Sequence, residues 1–249
     1  MILSERNLKL TIAYEGTHFA GFQKQAGNLR TVQAVLEQAV RQISGETVKL
    51  IGAGRTDSGV HARGQVVNFR SQSRLAAGQW LKALNAVLPE DLVVTDIVEV
   101  APDFHARYSA RSKTYSYRIY NAPLRPVFNR NFVYFYRQEL DWEKMQKAAR
   151  LLVGRYDFRS FQAAGSAVKS TVRTVNFCCL NKSGPELLVM INADGFLYHM
   201  VRNIVGTLIL VGNGKMAVSQ FEQVRDQRDR SYAGPTAPAR GLCLEEVIY

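Results

Sequence analysis

The chain has few cysteines and histidines, and neither set has the spacing of a disulfide framework or a metal site. Cys178 and Cys179 are adjacent and Cys243 is distant, so no even set of paired cysteines is available. The four histidines show no HxxxH or HxH spacing and no neighbouring carboxylate cluster. We therefore expect reduced, structural cysteines and no bound metal.

Long apolar runs are also missing. The longest nearly unbroken apolar stretch, IVGTLILVG at 204–212, is far shorter than the roughly 20 residues of a membrane-spanning helix. The first ten residues, MILSERNLKL, carry charges where a signal peptide has its apolar core. We expect a cytoplasmic protein of one large domain or two modest ones, since the 249 residues are 47% hydrophobic.

Acidic side chains are scarce in two long segments of a chain whose formal net charge is +11. Within 47–89 the only carboxylate is Asp57, among six lysine or arginine residues. Segment 104–137 has seven lysine or arginine residues, ten phenylalanine or tyrosine residues and no acidic residue. Cations neutralise phosphates and aromatic faces stack on bases, so this composition favours RNA as the partner. The alternation of TYSYRIY at 114–120 is typical of a half-buried strand, and we expect about half of the rings to be core.

Hydrophobic periodicity predicts an α+β protein with two similar halves, residues 1–103 and 104–249. The first half has the β-α-β-β-α-β order of a ferredoxin-like fold, with elements at 8–14, 31–45, 47–53, 64–70, 77–88 and 92–100. Thr31 is the predicted N-cap of the first helix and Gly45 its stop. The second half is predicted to have strands at 113–120, 172–180, 186–193 and 242–248 and helices at 141–153, 196–211 and 218–228.

The loop GAGRTDSGVHARGQV at 52–66 places four glycines around Asp57. Its spacing matches neither GxGxxG nor GxxxxGK[ST], which excludes the common phosphate-binding loops. Glycines permit turns with positive φ and close approach of a bulky partner. On this loop alone, a turn residue bonding its own backbone amides is the favoured interpretation of Asp57. A nucleophile is the alternative, because a phosphate-binding face gains nothing from an idle carboxylate, and nearby arginines favour its charged form.

Arg202 lies on the margin of the wide apolar face of the predicted helix 196–211. A cation there is either a side chain that extends into water or a buried partner for a carboxylate. Both interpretations stay open at this point.

Five segments together resemble one enzyme family. GRTDSGVHARGQV at 54–66 resembles the catalytic loop of the tRNA pseudouridine synthases, and the resemblance is closest to the tRNA pseudouridine synthase I family. Four further segments follow the family's order: YEGTHFAGFQKQ at 14–25, FHARYSARSKTYSYRIYN at 104–121, HMVRNIVGTL at 199–208 and APARGLCLEEVIY at 237–249. Two departures are Ser58, where alanine is common, and Tyr156, where histidine is frequent; neither touches the proposed chemistry.

The resemblance implies isomerisation of uridine to pseudouridine in the anticodon stem-loop of tRNA, at positions 38, 39 and 40. It implies flipping of the target base, no metal and no organic cofactor. It also implies the pseudouridine synthase fold, in which the antiparallel sheets of two ferredoxin-like or RRM-like halves join around a central basic cleft. A homodimer that holds one tRNA across both subunits is a further implication.

By the motif match, Asp57 is the essential carboxylate, which attacks the nucleoside covalently or assists departure of the base. Tyr115 matches the tyrosine that stacks on the target base, and its hydroxyl is a candidate for removing the C5 proton. Arg202 matches the arginine that pairs with the catalytic carboxylate, while Arg55 and Leu242 complete the substrate-binding pocket wall. No chemical step is assigned to three other residues in matching motifs: His61, Phe22 and Gln25.

Two other functions are compatible with parts of the sequence. An N-glycosidase acting on nucleic acid also uses a carboxylate, but such hydrolases generally need a second one, and none lies near Asp57 in sequence. A non-catalytic RNA-binding module would explain the β-α-β-β-α-β order and the basic aromatic segment. RGQVVNFR at 63–70, however, lacks the aromatic residues of an RNP1 motif.

Overall fold

The computed structural model describes residues 5–165 and 168–249; residues 1–4, part of the segment used in the export argument, lie outside the described residues. The described residues form two compact units. The first comprises the residues up to Arg111 together with Leu244–Tyr249, and the second is Ser112–Cys243. The predicted division into 1–103 and 104–249 keeps the last strand with the second half, whereas most of that strand packs with the first unit.

The first unit has the predicted β-α-β-β-α-β order. Its elements are β1 (Arg6–Tyr14), α1 (Val32–Ser44), β2 (Ile51–Gly52), β3 (His61–Ser71), α2 (Ala77–Val87) and β4 (Leu92–Val100). β1 lies between β4 and β3, β2 pairs with β3, and all these pairs are antiparallel. The ferredoxin-like order and the α+β class are therefore confirmed.

The first helix begins and ends where local chemistry predicts. The Thr31 hydroxyl accepts a hydrogen bond from the Ala34 N–H at 3.3 Å, which satisfies one of the free amides of the first turn. Gly45 follows the last helical residue in the left-handed region, with φ 74°. The helix buries Leu36 and Val40 completely, in the same unit as the buried β1 side chains.

The predicted strand at 47–53 is wrong for most of its length, because only Ile51–Gly52 pair with β3. The cause is α1, whose side chains bind the backbone groups that a strand ladder would use. The Leu50 N–H donates to the Glu37 carboxylate, and the Leu50 carbonyl accepts from the Gln33 amide, both at 3.3 Å.

The second unit is also α+β, but its sheet is mixed. Its elements are β5 (Ser112–Asn121), β6 (Tyr134–Tyr136), α3 (Trp142–Arg150), β7 (Gly154–Asp157), β8 (Val172–Ser183), β9 (Glu186–Ala193), α4 (Met200–Gly212) and α5 (Val218–Gln227). The strands β5, β9, β8 and β7 are neighbours in that order and antiparallel, whereas β6 pairs parallel to β5. The expected antiparallel arrangement holds for β5, β9, β8 and β7, and β6 is a short parallel strand that the sequence did not predict. The last strand, β10 (Leu242–Ile248), begins in this unit and continues in the first.

The helix predicted at 196–211 begins later, at Met200. His199 takes a left-handed conformation with φ 58°, which interrupts the helical run, and the Tyr198 carbonyl accepts from the Ala163 N–H at 3.0 Å. The apolar residue Phe196 instead makes an edge-to-face ring contact with Tyr115. The longest helices described have 13 residues, and no described helix has the length and apolarity of a membrane span.

Candidate functional site

In the first unit, Asp57 lies half-buried in the loop between β2 and β3, and the backbone on both sides of it is fixed. The Thr56 hydroxyl is buried and shares a 2.8 Å hydrogen bond with the Tyr14 hydroxyl. The Thr56 carbonyl accepts from the Phe22 N–H at 3.0 Å, and the Val60 N–H donates to the Asp57 carbonyl at 3.2 Å. The carboxylate is therefore carried by a closed, internally bonded turn.

The segment 14–22 is the support of this turn. Gly21 has φ 94°, and a Cβ there would lie 2.9 Å from the Thr56 carbonyl oxygen. The buried imidazole of His61 accepts the Gly16 N–H at Nδ1 over 3.0 Å, which gives His61 a structural role. Two of the matching motifs, YEGTHFAGF and GRTDSGVHA, thus form one packed assembly.

A buried glutamine and an aromatic ring complete the loop. Gln65, which is completely buried on β3, donates its amide to the Gly54 carbonyl at 2.9 Å and accepts the Val66 N–H at 3.1 Å. The Phe22 ring packs on Gly52, where a Cβ would lie 2.5 Å from ring carbons. This glycine therefore admits a ring of the same chain. Arg55, two residues before Asp57, is exposed.

An ion pair between Arg30 and Asp91 stabilises the supporting segment 14–22. Both guanidinium Nη atoms of Arg30 lie 2.7 Å from the Asp91 carboxylate oxygens, and the guanidinium stacks 4.1 Å from the Phe19 ring. The hydrogen bonds from Arg30 lower the pKa of Asp91, against the opposing effect of burial. Asp91 is therefore ionised at neutral pH and fixes the Arg30 side chain against Phe19 of this segment.

In the second unit, β5 presents two tyrosines on one face. Tyr115 is buried, with its ring centroid 4.9 Å from that of Phe196 in an edge-to-face arrangement. Tyr117, two residues further along, points to the same face and donates its hydroxyl to the Pro238 carbonyl at 2.7 Å. Burial raises the pKa of Tyr117 far above its usual range, although the charges of Arg202 and Arg240 oppose the shift. Tyr117 is therefore a fixed, protonated donor.

Arg202 lies in the first turn of α4 and is half-buried. Its Nε donates to the Ala237 carbonyl at 2.7 Å, and its own carbonyl accepts the Ala237 N–H at 3.1 Å. This position excludes a side chain that simply extends into water. Gly241 packs under the Tyr117 ring and precedes the buried Leu242 at the start of β10. The structure thus brings Arg202, Tyr117 and segment 237–242 together in the second unit.

Sequence reasoning missed several residues that build these two arrangements. They are Tyr14, Thr56 and Gln65 in the first unit and Tyr117 and Arg240 in the second. Tyr117 had a usable signal, because its spacing of two from Tyr115 places both rings on one face of a strand. The buried hydroxyl pair and Gln65 had none, because their partners are distant in sequence.

The aromatic residues of segment 104–137 divide into three groups. Tyr115 and Tyr117 are buried, and Tyr108, Phe128 and Phe132 are exposed by 76%, 99% and 41%. The other five are half-buried. The predicted even division between core and surface is therefore only approximate.

Within residues 5–165 and 168–249, no three histidine, cysteine, aspartate or glutamate side chains form a cluster able to hold a metal. The three cysteines form no disulfide, and burial raises the pKa of Cys178 far above its usual range. That thiol is therefore inert.

Comparisons with known proteins agree with the motif match. The family model described as tRNA pseudouridine synthase matches residues 10–109 and 148–249. Relatives named tRNA pseudouridine synthase A 2 from Clostridium perfringens and tRNA pseudouridine synthase A from Moorella thermoacetica are 45% and 47% identical. The alignments cover 98% and 97% of this chain and 100% and 99% of the relatives. The chain therefore belongs to the family of tRNA pseudouridine synthases, which are isomerases.

Proposed function

We propose that this protein isomerises uridine to pseudouridine in the anticodon stem-loop of tRNA, at positions 38, 39 and 40, with Asp57 as the essential carboxylate. One observation carries the proposal: the half-buried Asp57 lies on a turn fixed by buried hydrogen bonds, in a segment that has no other acidic residue. A carboxylate held this way is preorganised for chemistry on a bound polyanion.

The reaction conserves every atom of the nucleoside. The C1′–N1 bond breaks, the uracil turns, and a C1′–C5 bond forms. C5 loses a proton and N1 gains one, so the mass of the RNA is unchanged. Asp57 either attacks the nucleoside covalently or assists departure of the base, and both routes use the ionised carboxylate. The target base leaves its stack first, at a cost of about a few kcal/mol that contacts in the pocket offset.

The second unit supplies the other proposed groups. Tyr115 stacks on the flipped uracil with a ring already oriented by Phe196, and its hydroxyl removes the C5 proton. Arg202, held by Ala237, pairs with the catalytic carboxylate. Arg55 and Leu242 bind the substrate as parts of the pocket wall. No metal or organic cofactor takes part, and the protein acts in the cytoplasm as a homodimer on one tRNA.

Release of tritium tests the proposal. Unmodified tRNA tritiated at uracil C5 should lose tritium to water when incubated with the protein, and pseudouridine mapping should place the product at 38–40. We expect Asp57→Asn to abolish release while tRNA affinity stays within about twofold, because the amide keeps the shape of the carboxylate but neither attacks nor carries charge.

A matched control is Asp96→Asn, since Asp96 is an exposed residue of β4 in the same unit. This variant should release tritium at the parent rate. Full activity of Asp57→Asn would show that the Asp57 carboxylate takes no part in the reaction. Free uracil in the product would indicate a glycosidase, and tRNA binding with unaltered uridines would indicate a binding module.

A further inference from the structure

Tyr108 lies in a tight turn at 105–109 whose backbone is fixed by hydrogen bonds. The Ser109 N–H donates to the His105 carbonyl at 2.9 Å, and the His105 N–H donates to the Ser109 hydroxyl at 3.1 Å. The His105 Nδ1 accepts from the N–H groups of Arg107 and Tyr108 at 3.2 and 3.3 Å. One imidazole thus fixes the backbone on which Tyr108 stands.

The Tyr108 ring contacts neighbouring side chains yet remains largely exposed. It stacks on the His105 imidazole, with centroids 4.3 Å apart and planes inclined by 30°, yet the residue is 76% exposed. The Arg107 guanidinium lies 5.7 Å from the ring centroid. A ring that stacks on an imidazole, lies near a guanidinium and stays 76% exposed can serve as a platform for a planar ligand.

The turn is tied to the core of the first unit. The Ala106 N–H donates to the buried Asn68 side chain at 2.9 Å, and the Ala106 carbonyl accepts from the Tyr249 hydroxyl at 2.7 Å. The Phe104 carbonyl accepts from the Asn7 side chain at 2.9 Å. Because this backbone is already ordered, stacking of a ligand on Tyr108 costs little conformational entropy of the protein.

The turn itself is basic, and the acidic residues Glu5 and Asp103 line a pocket on the side of His105. The turn and the residues after it, 105–111, contain the exposed Arg107 and Arg111 and no acidic residue. The Arg111 N–H donates to the Ile248 carbonyl at 2.8 Å, which fixes its backbone. Arginine side chains beside an exposed aromatic ring neutralise phosphates while the ring stacks on a base.

We propose that Tyr108 is an RNA-stacking residue outside the chemistry of Asp57, on which an unpaired base of the tRNA rests while Arg107 and Arg111 contact phosphates. The proposal deepens the proposed function, because it rests on tRNA as the substrate. Tyr108 is a binding residue in this scheme and takes no part in bond making.

Binding measured in the inactive Asp57→Asn protein tests the proposal without turnover. With an unmodified tRNA transcript and fluorescence anisotropy, Tyr108→Ala should weaken binding about tenfold, the effect of losing one base–aromatic stack. Tyr108→Phe, which keeps the ring, and Tyr232→Ala, which removes a tyrosine 55% exposed elsewhere, should stay within about twofold of the parent. Arg107→Gln should lower the slope of log affinity against log salt by about 1, whereas Tyr108→Ala should leave it unchanged.

A variant with a fluorescent side chain at position 108 gives an independent readout. Tyr108→Trp should show fluorescence quenching when tRNA binds, because the indole then stacks on a base. Parent-like affinity of Tyr108→Ala together with unquenched Tyr108→Trp would overturn the proposal. A change in the sedimentation of Tyr108→Ala with unchanged tRNA affinity would also overturn it, and would assign the ring to contact with a second copy.

Tritium release by the wild-type protein separates the two proposals. If the wild-type protein releases tritium and Tyr108→Ala binds tRNA like the parent, the stacking role of Tyr108 is rejected and the isomerase function stands. If Tyr108→Ala binds tRNA more weakly but the wild-type protein releases no tritium, the isomerase function is rejected and the RNA contact at Tyr108 stands.

Discussion

Two tyrosines on one face of β5 illustrate how position decides chemistry at the scale of single residues. Tyr117 is tied to the Pro238 carbonyl, and burial raises its pKa, so its hydroxyl is unsuited to accept a proton. Tyr115 makes an edge-to-face ring contact with Phe196, which a phenylalanine at this position would keep. The two hydroxyls can therefore be removed separately, with different expected effects.

Tyr115→Phe keeps the ring and its edge-to-face contact and removes only the hydroxyl. If the hydroxyl takes the C5 proton, single-turnover tritium release should slow by about 100-fold or more, since a positioned general base contributes that much. The affinity for tRNA should stay within about twofold, because stacking on the base is retained. A rate within about threefold of the parent would assign the proton to another group.

The comparison variant is Tyr117→Phe. It loses one hydrogen bond of a buried hydroxyl, so the free energy of unfolding should fall by about 1 kcal/mol in urea unfolding. Tritium release at saturating tRNA should be nearly unchanged. Equal losses of rate in the two variants would indicate a structural role for both hydroxyls.

At the scale of elements, α4 depends on a glycine where another chain segment touches it. A Cβ on Gly206 would overlap the Pro235 carbonyl oxygen, and the Gly234 N–H donates to the Thr207 hydroxyl at 2.9 Å. The same segment continues to Ala237, which holds Arg202. Close backbone approach at Gly206 therefore fixes the position of Arg202.

Gly206→Ala should force α4 and this segment apart. We expect the free energy of unfolding to fall by about 1–3 kcal/mol, the usual cost of overpacking, and tritium release to fall with it as Arg202 shifts. Urea unfolding followed by circular dichroism measures the first effect. Gly78→Ala in α2, where a Cβ meets nothing within 4 Å, should instead stabilise the protein by about 0.5–1 kcal/mol. An unchanged unfolding midpoint for Gly206→Ala would show that the helix accommodates the methyl group.

Elements governed by local signals were predictable from the sequence, and elements governed by distant contacts were not. The N-cap Thr31 and the stop Gly45 directly flank the helix that they bound, and β4 and β10 match their predicted ranges. The short β2 could not be predicted, because the side chains that replace its ladder come from α1. The candidate site followed the same rule: the motif match proposed Asp57 and Arg202 as site residues, whereas the buried Gln65 behind the loop became visible only in the structure.

At the scale of the whole molecule, the net charge of +11 should dominate encounter with tRNA. Between about 50 and 200 mM salt, we expect tRNA affinity to fall at least about tenfold, because bound phosphates release counterions. Tritium release at saturating tRNA should change little, since the turn that carries Asp57 is held by hydrogen bonds. Filter binding across a salt series measures the first effect, and a flat affinity curve would contradict the electrostatic account. The parallel series with Asp57→Asn should have the same slope.

The course of the last strand has a consequence for how the protein is made. The second unit is one continuous stretch, Ser112–Cys243, inserted into the first, whose final strand residues, Leu244–Ile248, follow it in the chain. During synthesis at about 5–20 residues per second, the first unit therefore waits roughly ten seconds for its last strand. Gly64 on β3 and the Phe104 ring lack their partners Glu245 and Tyr249 throughout that interval. The nascent protein thus carries an open sheet margin until residues 244–248 have been synthesised, which makes this the stage most exposed to aggregation.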